Sequence, residues 1–294
     1  MWILFTLLAA SMQAVRNACQ KELSKEVSVL GVTLARFIYA SPLAALYLWA
    51  LYALSDPVQR PEVPQFSLGF AGFILAASLM QILATALMVV LFKQKNYAIG
   101  VGLAKSEAIF AAVLGVLFFA SVLSPIAWFG VAVGAVAVFL LSGVKNFREL
   151  PLKTVAIGAA SGAAFALTSL WIREASLTLG LPFPYSAAWV LLFVISCQTL
   201  LLLGYLLLRD RTVLVALWNR PRLTMLTSFF SCIGSLGWFT AMSLETVPLV
   251  KTLGQVEVLF TLLISVFWFK EKLKRTDLLG LALVVVAAVL VMWA

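Results

Sequence analysis

An apolar run long enough to cross a lipid bilayer constrains a chain severely when charges sit in its middle. Residues Tyr97–Phe119, YAIGVGLAKSEAIFAAVLGVLFF, form such a run, longer than the ~20 residues a helix rising about 1.5 Å per residue needs. Lys105 and Glu107 fall near its centre, where a charge without partner or water costs at least about 2.5 kcal/mol. Gly100 and Gly102 loosen the helix just before them. The pattern returns 150 residues later in Val247–Phe269, VPLVKTLGQVEVLFTLLISVFWF. Glu257 stands where Glu107 stood and Phe260 where Phe110 stood, with Lys251 as the cation and Pro248 and Gly254 as interrupters. The same costly helix occurs twice.

A composition that is 63% hydrophobic and 11% charged, with mean hydropathy +1.07, belongs to a polytopic membrane protein. The net charge of +9 lies mostly in short loops between apolar runs, where it sets membrane orientation and gives no nucleic-acid surface. The first apolar run starts directly after Met1, with no basic leader or small-residue cleavage site, and reads as a spanning helix. Cys19, Cys197 and Cys232 stand singly in apolar runs, without metal-ligand spacing or a disulfide framework. The absence of histidine excludes His-based catalysis and most transition-metal sites. No phosphate-binding loop motif is present. No cofactor, catalytic residue or metal is expected.

Ten spans are predicted, at about 2–22, 28–54, 66–92, 97–119, 125–143, 151–177, 183–208, 221–244, 247–269 and 275–294. The longest connection, SDPVQRPEVPQ at Ser55–Gln65, is a proline-rich loop. Gln13, Asn17 and Gln20 make a polar stripe on the first span, with Arg16 beside them; the alternative is that Arg16 and Gln20 lie at the headgroups. Arg36, in the LARF of span two, reads as a structural pin for a carboxylate rather than a pocket cation. Gln81 lies near the centre of span three. Ser228, Ser231, Cys232 and Ser235 share one face of span eight, before Trp238, and read as helix-packing contacts. Spans five and ten have no ionisable residue in their interiors and suit the edge of a bundle.

The 150-residue offset extends beyond one helix: Ala9-Ala10-Ser11 matches Ala159-Ala160-Ser161, and Gly130 and Val136 match Gly280 and Val286. Five spans per half is an odd number, so the second half must insert inverted, and corresponding loops should carry opposite charge bias. KQKN after span three, RDRTVLVALWNRPR after span seven and KEKLKR after span nine are each basic where their counterparts are not. The expected fold is therefore all-α: ten transmembrane helices as two inverted five-helix repeats, residues 1–145 and 146–294. Inverted repeats with interrupted helices and midplane polar groups are the architecture of secondary transporters.

Two five-helix halves, LARF in span two, glutamates in spans four and nine and the FKEKL turn before span ten resemble the drug/metabolite transporter superfamily, EamA type. The resemblance covers the whole chain, although the first half's turn, ASVLSP, lacks the charged residues often found there. It implies a substrate cavity lined mainly by the non-terminal helices of each half, and export of small metabolites, amino acids or drugs.

The function predicted is secondary transport of small polar or amphipathic metabolites across the inner (plasma) membrane, with amino-acid-like zwitterions favoured. Both charge signs suit a solute whose two ends each need a partner. The substrate-binding candidates are Glu257, Glu107, Lys105, Lys251, Gln255, Gln13, Asn17, Gln81, Trp171 and Trp238; Arg36 and Arg16 are assigned structural charge. Residues two apart lie about 200° around a helix, so Lys105 and Glu107 should not both face one cavity. Glu257 is expected to take the transport role, because Pro248 and Gly254 make its helix the more deformable. A lipid or polyprenyl-linked-sugar flippase and, less favoured, a membrane-embedded enzyme or a channel are the alternatives; no nucleophile or metal cluster supports an enzyme. Basic residues concentrate after spans one, three, five, seven and nine, against Arg60 and Arg173 on the other side. Both termini are therefore expected outside the cytoplasm, the reverse of how some members of that family are drawn.

Overall fold

Helix is the only regular structure among the described residues of the computed structural model, which are 1–56, 58, 60–94, 103–141, 151–268 and 275–293. In chain order they form α1 (Trp2–Leu23), α2 (Val29–Ala35), α3 (Ala40–Leu54), α4 (Leu68–Gln94), α5 (Glu107–Phe118), α6 (Pro125–Leu141), α7 (Leu152–Leu179), α8 (Tyr185–Arg209), α9 (Thr212–Trp218), α10 (Pro221–Leu244), α11 (Val247–Leu253), α12 (Glu257–Phe267) and α13 (Arg275–Met292). Among the described residues, six helical stretches are long and apolar enough to cross a membrane: Val29–Leu54, Leu68–Lys93, Leu152–Leu179, Tyr185–Arg209, Pro221–Leu244 and Val247–Ile264. The protein is a multi-pass membrane protein. Gly100, Gly102, Lys95, Lys145, Arg148 and the FKEKL turn lie outside the described residues. The basic stretch after span seven, expected as a loop, contains the short helix α9.

Three apolar stretches are interrupted rather than straight. Between α2 and α3, residues Arg36–Tyr39 form turns. Pro42 lies four residues after Ile38, and its ring and missing N–H disrupt the preceding helical turn. Neighbouring helices satisfy the released backbone groups. Ser228 on α10 accepts from the Tyr39 N–H at 3.2 Å and donates to the Ala35 carbonyl at 2.6 Å, while Thr199 on α8 donates to the Phe37 carbonyl at 3.1 Å. The hydroxyl face of α10 thus repairs a broken helix. The other two breaks fall at Lys105–Ser106, just before α5, and at the 3-10 turn Gly254–Val256, just before α12.

Both α5 and α12 begin on their glutamate, Glu107 and Glu257, where the positive end of the helix dipole favours an anion. Lys105 belongs to the turn and Glu107 to the following helix, and both are buried.

Helices pack across the two halves: α4 runs along α7, α1 along α10, α3 along α8 and α6 along α13. The main core draws on α1, α3, α4, α7, α8 and α10, whereas Ala137, Val138, Val258, Leu262 and Val284 form a separate cluster joining α6, α12 and α13. Small residues permit the closest approaches. A Cβ added at Gly162 of α7 would stand 2.2 Å from Ser106 Oγ and 2.9 Å from the Glu107 nitrogen, so α7 presses directly on the break before α5.

Candidate functional site

The breaks before α5 and α12 carry two ion pairs, each joining the halves of the chain. Lys251, in the last turn of α11, meets Glu107 at 2.7 Å; Lys105 meets Glu257 at closer range. Each lysine therefore neutralises the glutamate of the other half. All four side chains are at most 9% exposed, a depth at which a carboxylate or ammonium without a counter-charge is not tolerated.

The pairs differ in their surroundings. Glu257 is fully buried and also accepts from Gln13 Nε2 at 2.5 Å and Asn17 Nδ2 at 2.8 Å. Asn17 in turn takes Arg16 Nε and Nη2 on its side-chain oxygen at 3.2 and 2.8 Å. The polar stripe of α1 thus wraps Glu257. Arg16 and Gln20 are both fully buried in protein. Among the described residues, Glu107 has Ser169 Oγ, at 3.3 Å, beside its lysine.

A polar relay links the two pairs. The Lys251 ammonium lies 4.2 Å from the centre of the Trp238 ring, an attractive cation–π contact. The Trp238 indole N–H donates to Gln13 Oε1 at 2.8 Å, and the Gln13 amide donates to Glu257. The acceptor and donor ends of one amide thereby connect α10 to α12.

Beside this relay lies a cavity of about 20 Å³ lined by Gln13, Arg36, Gln81, Glu107, Lys251 and Trp238, with Phe165, Thr168, Ser169, Ile172, Phe239 and Met242. That is room for about one water. Of the residues singled out from sequence, Glu107, Lys251, Gln13, Gln81 and Trp238 line it. Glu257, Lys105 and Asn17 form the sealed pair next to it. Trp171 packs against the main core and not on this cavity. Gln255 is buried against Gly134 of α6, where an added Cβ would collide with its amide oxygen, and neither amide atom finds a hydrogen-bond partner among the described residues. Sequence reasoning missed the wall from α7. Its only signal is the small and hydroxyl-rich run from Ser161 to Ser169, which by itself denotes close helix packing.

Arg36 departs from its expected role. It is 2% exposed and donates from Nε to Ser231 Oγ at 3.1 Å and from Nη1 to Thr85 Oγ1 at 2.7 Å. Two hydroxyls hold it, and no carboxylate pairs with it among the described residues, because both nearby glutamates are engaged by lysines.

The described residues hold no group of three metal-ligating side chains. Residues 152–293 match the model of the EamA-like transporter family. That family is part of the drug/metabolite transporter superfamily, and the match supports a membrane transporter of this type. No curated protein matches the chain. One solved crystal structure of another protein aligns with a TM-score of 0.74 at 15% identity, covering 98% of this chain and 98% of that chain. At such identity the likeness carries the fold alone, over nearly the whole chain.

Proposed function

We propose that the protein is a secondary transporter with ten spans in two inverted halves, 1–145 and 146–294, that moves small polar or amphipathic metabolites by alternating access. The observation that carries this reading is the reciprocal pairing of Lys105 with Glu257 and Lys251 with Glu107. Ion pairs that join two halves of a molecule at broken helices, next to a cavity, are the parts from which rocking of one half against the other is built. Packing supports it: exchanging each helix for its counterpart 150 residues away turns the α4–α7 contact into the α10–α1 contact and maps α6–α13 onto itself. The cavity is too small for a metabolite, so a solute enters only when its walls part.

Within this reading Glu107 and Lys251 touch the solute, and Glu257 and Lys105 brace the helices. That reverses the role first given to Glu257, because Glu107 is the glutamate that lines the cavity. Both charge signs on the wall favour amino-acid-like zwitterions, and export from the cytoplasm across the inner membrane is the direction the family resemblance favours. Loop charge supports termini outside the cytoplasm.

Counterflow in proteoliposomes tests the proposal. Labelled metabolites from a panel should exchange faster than in empty liposomes, and Lys251→Met should abolish that exchange in protein that still purifies as a single species. Inertness across the panel, or undiminished exchange in Lys251→Met, overturns it. A C-terminal reporter active only in the cytoplasm should stay silent; its activity reverses the orientation.

A further inference from the structure

The described interior contains two carboxylates, each committed to a lysine, and beside them Arg36 with no carboxylate of its own. A guanidinium has five N–H donors. Two hydrogen bonds leave Arg36, from Nε and Nη1, both to neutral hydroxyls. Nη2 makes no hydrogen bond to the described residues, and the side chain lines the cavity. Hydroxyl dipoles orient a guanidinium and do not cancel its charge. The planar fork fits a carboxylate bidentately, the strongest recognition open to it.

We propose that Arg36 is the anchor for a carboxylate on the transported solute, so that the site selects amphipathic organic acids over amines. The inference rests on the transport reading for the word transported, and on Arg36's own geometry for the rest. An ammonium end is held less well than a carboxylate, so a zwitterion is anchored chiefly by its acid end. The ammonium would have to displace Lys251 and Ser169 from Glu107, where the lysine is already held at 2.7 Å. The wall between Arg36 and Lys251 is apolar, with Phe165, Ile172, Phe239 and Met242 offering contact to the body of the acid. Thr85 and Ser231, on α4 and α10, fix the fork in place and thereby tie the solute's carboxylate to both halves of the chain.

Matched triads test this on the full-length protein in detergent: an amino acid, its deaminated acid and its decarboxylated amine, such as leucine, isocaproate and isoamylamine, with an aromatic triad alongside. Binding is read by thermal shift and calorimetry, and movement by counterflow. The acid should bind at least as well as the amino acid, and both at least about tenfold more tightly than the amine. Arg36→Gln should weaken acid binding by roughly 100-fold, and Arg36→Lys, which keeps the charge and loses the fork, by less. If Arg36→Gln does not fold, the ranking within each wild-type triad decides the matter. Amines binding as well as acids, no member of any triad binding, or unchanged acid affinity in Arg36→Gln each overturn the proposal. Acid binding without counterflow would preserve the anchor and remove the transport reading. Counterflow of amines without acid binding would do the reverse.

Discussion

The two ion pairs are alike in chemistry and opposite in setting. Lys105–Glu257 is enclosed by the amides of Gln13 and Asn17, and its glutamate has no exposed surface. Lys251–Glu107 stands on a cavity wall, with a serine and the face of Trp238 as its remaining company. A glutamate that takes three donors holds one arrangement well. A pair on the cavity wall with a single auxiliary hydrogen bond is the one that a solute can reach. The difference teaches that burial alone does not mark a transport residue; the number of competing partners does.

The largest expected effect comes from breaking the sealed pair. Glu257→Gln strands Lys105 among donors and turns an accepting oxygen into a second donor facing Gln13 and Asn17. Removing one partner of a buried pair costs about 3–5 kcal/mol, so folded yield and melting temperature in detergent should fall sharply. The double variant Lys105→Met/Glu257→Leu should recover much of that loss, because two apolar groups leave no buried charge behind. A double variant no better than the single would mean that the pair contributes geometry that apolar packing cannot replace.

Glu107→Gln should produce the opposite profile. Lys251 keeps Trp238 and cavity water, so the melting temperature should fall less than in Glu257→Gln, while counterflow is lost. Equal destabilisation by the two glutamine variants would erase the distinction between the pairs. Gln13→Leu sharpens it further: cutting the relay should leave both ion pairs in place and yet alter how a change at one glutamate is felt at the other. A double-mutant cycle between positions 107 and 257, run with and without Gln13, measures that coupling.

Much of this was legible in the residues. Charges in the centre of an apolar run demand partners, and two such runs 150 residues apart pointed to each other. The interrupters Pro248 and Gly254 announced a broken helix, and a 3-10 turn stands there. The matching break at Lys105–Ser106 was not legible, because neither proline nor glycine stands at it. Nor could sequence order reveal that Arg36 meets hydroxyls 49 and 195 residues away. A serine or threonine in an apolar helix has the same appearance whether it packs, caps or holds a guanidinium. The α7 wall was hidden for a related reason: Phe165, Thr168 and Ile172 are ordinary membrane-helix residues until tertiary packing turns them toward a cavity.

A smaller effect is expected where α7 presses on the break. Gly162→Ala places a methyl against Ser106 Oγ and the backbone nitrogen of Glu107, and overpacking of this kind costs typically about 1–3 kcal/mol. The shift displaces Glu107 in particular, so transport should suffer more than stability. Gly72→Ala on α4 is the control: nothing lies within 4 Å of its added Cβ. It should be neutral or slightly stabilising, since alanine favours a helix by about 1 kcal/mol over glycine.

The smallest effect belongs to another ion pair between the halves, Arg220 with Glu26, which joins the start of α10 to the segment after α1 through two hydrogen bonds. Its chemistry matches the buried pairs and its geometry is the better, being bidentate. Its partners, however, are 50% and 53% exposed, and solvent screens such pairs to about 0–1 kcal/mol. Glu26→Gln should therefore change the melting temperature by no more than a degree or two, against the large loss in Glu257→Gln. Raising the salt concentration should shrink even that difference, because exposed charges are screened and buried ones are not. A drop in Glu26→Gln comparable to that in Glu257→Gln would show that the bridge is shielded in the membrane-embedded protein. In that event the contrast between sealed and open pairs would have to be redrawn around which face of the molecule is closed.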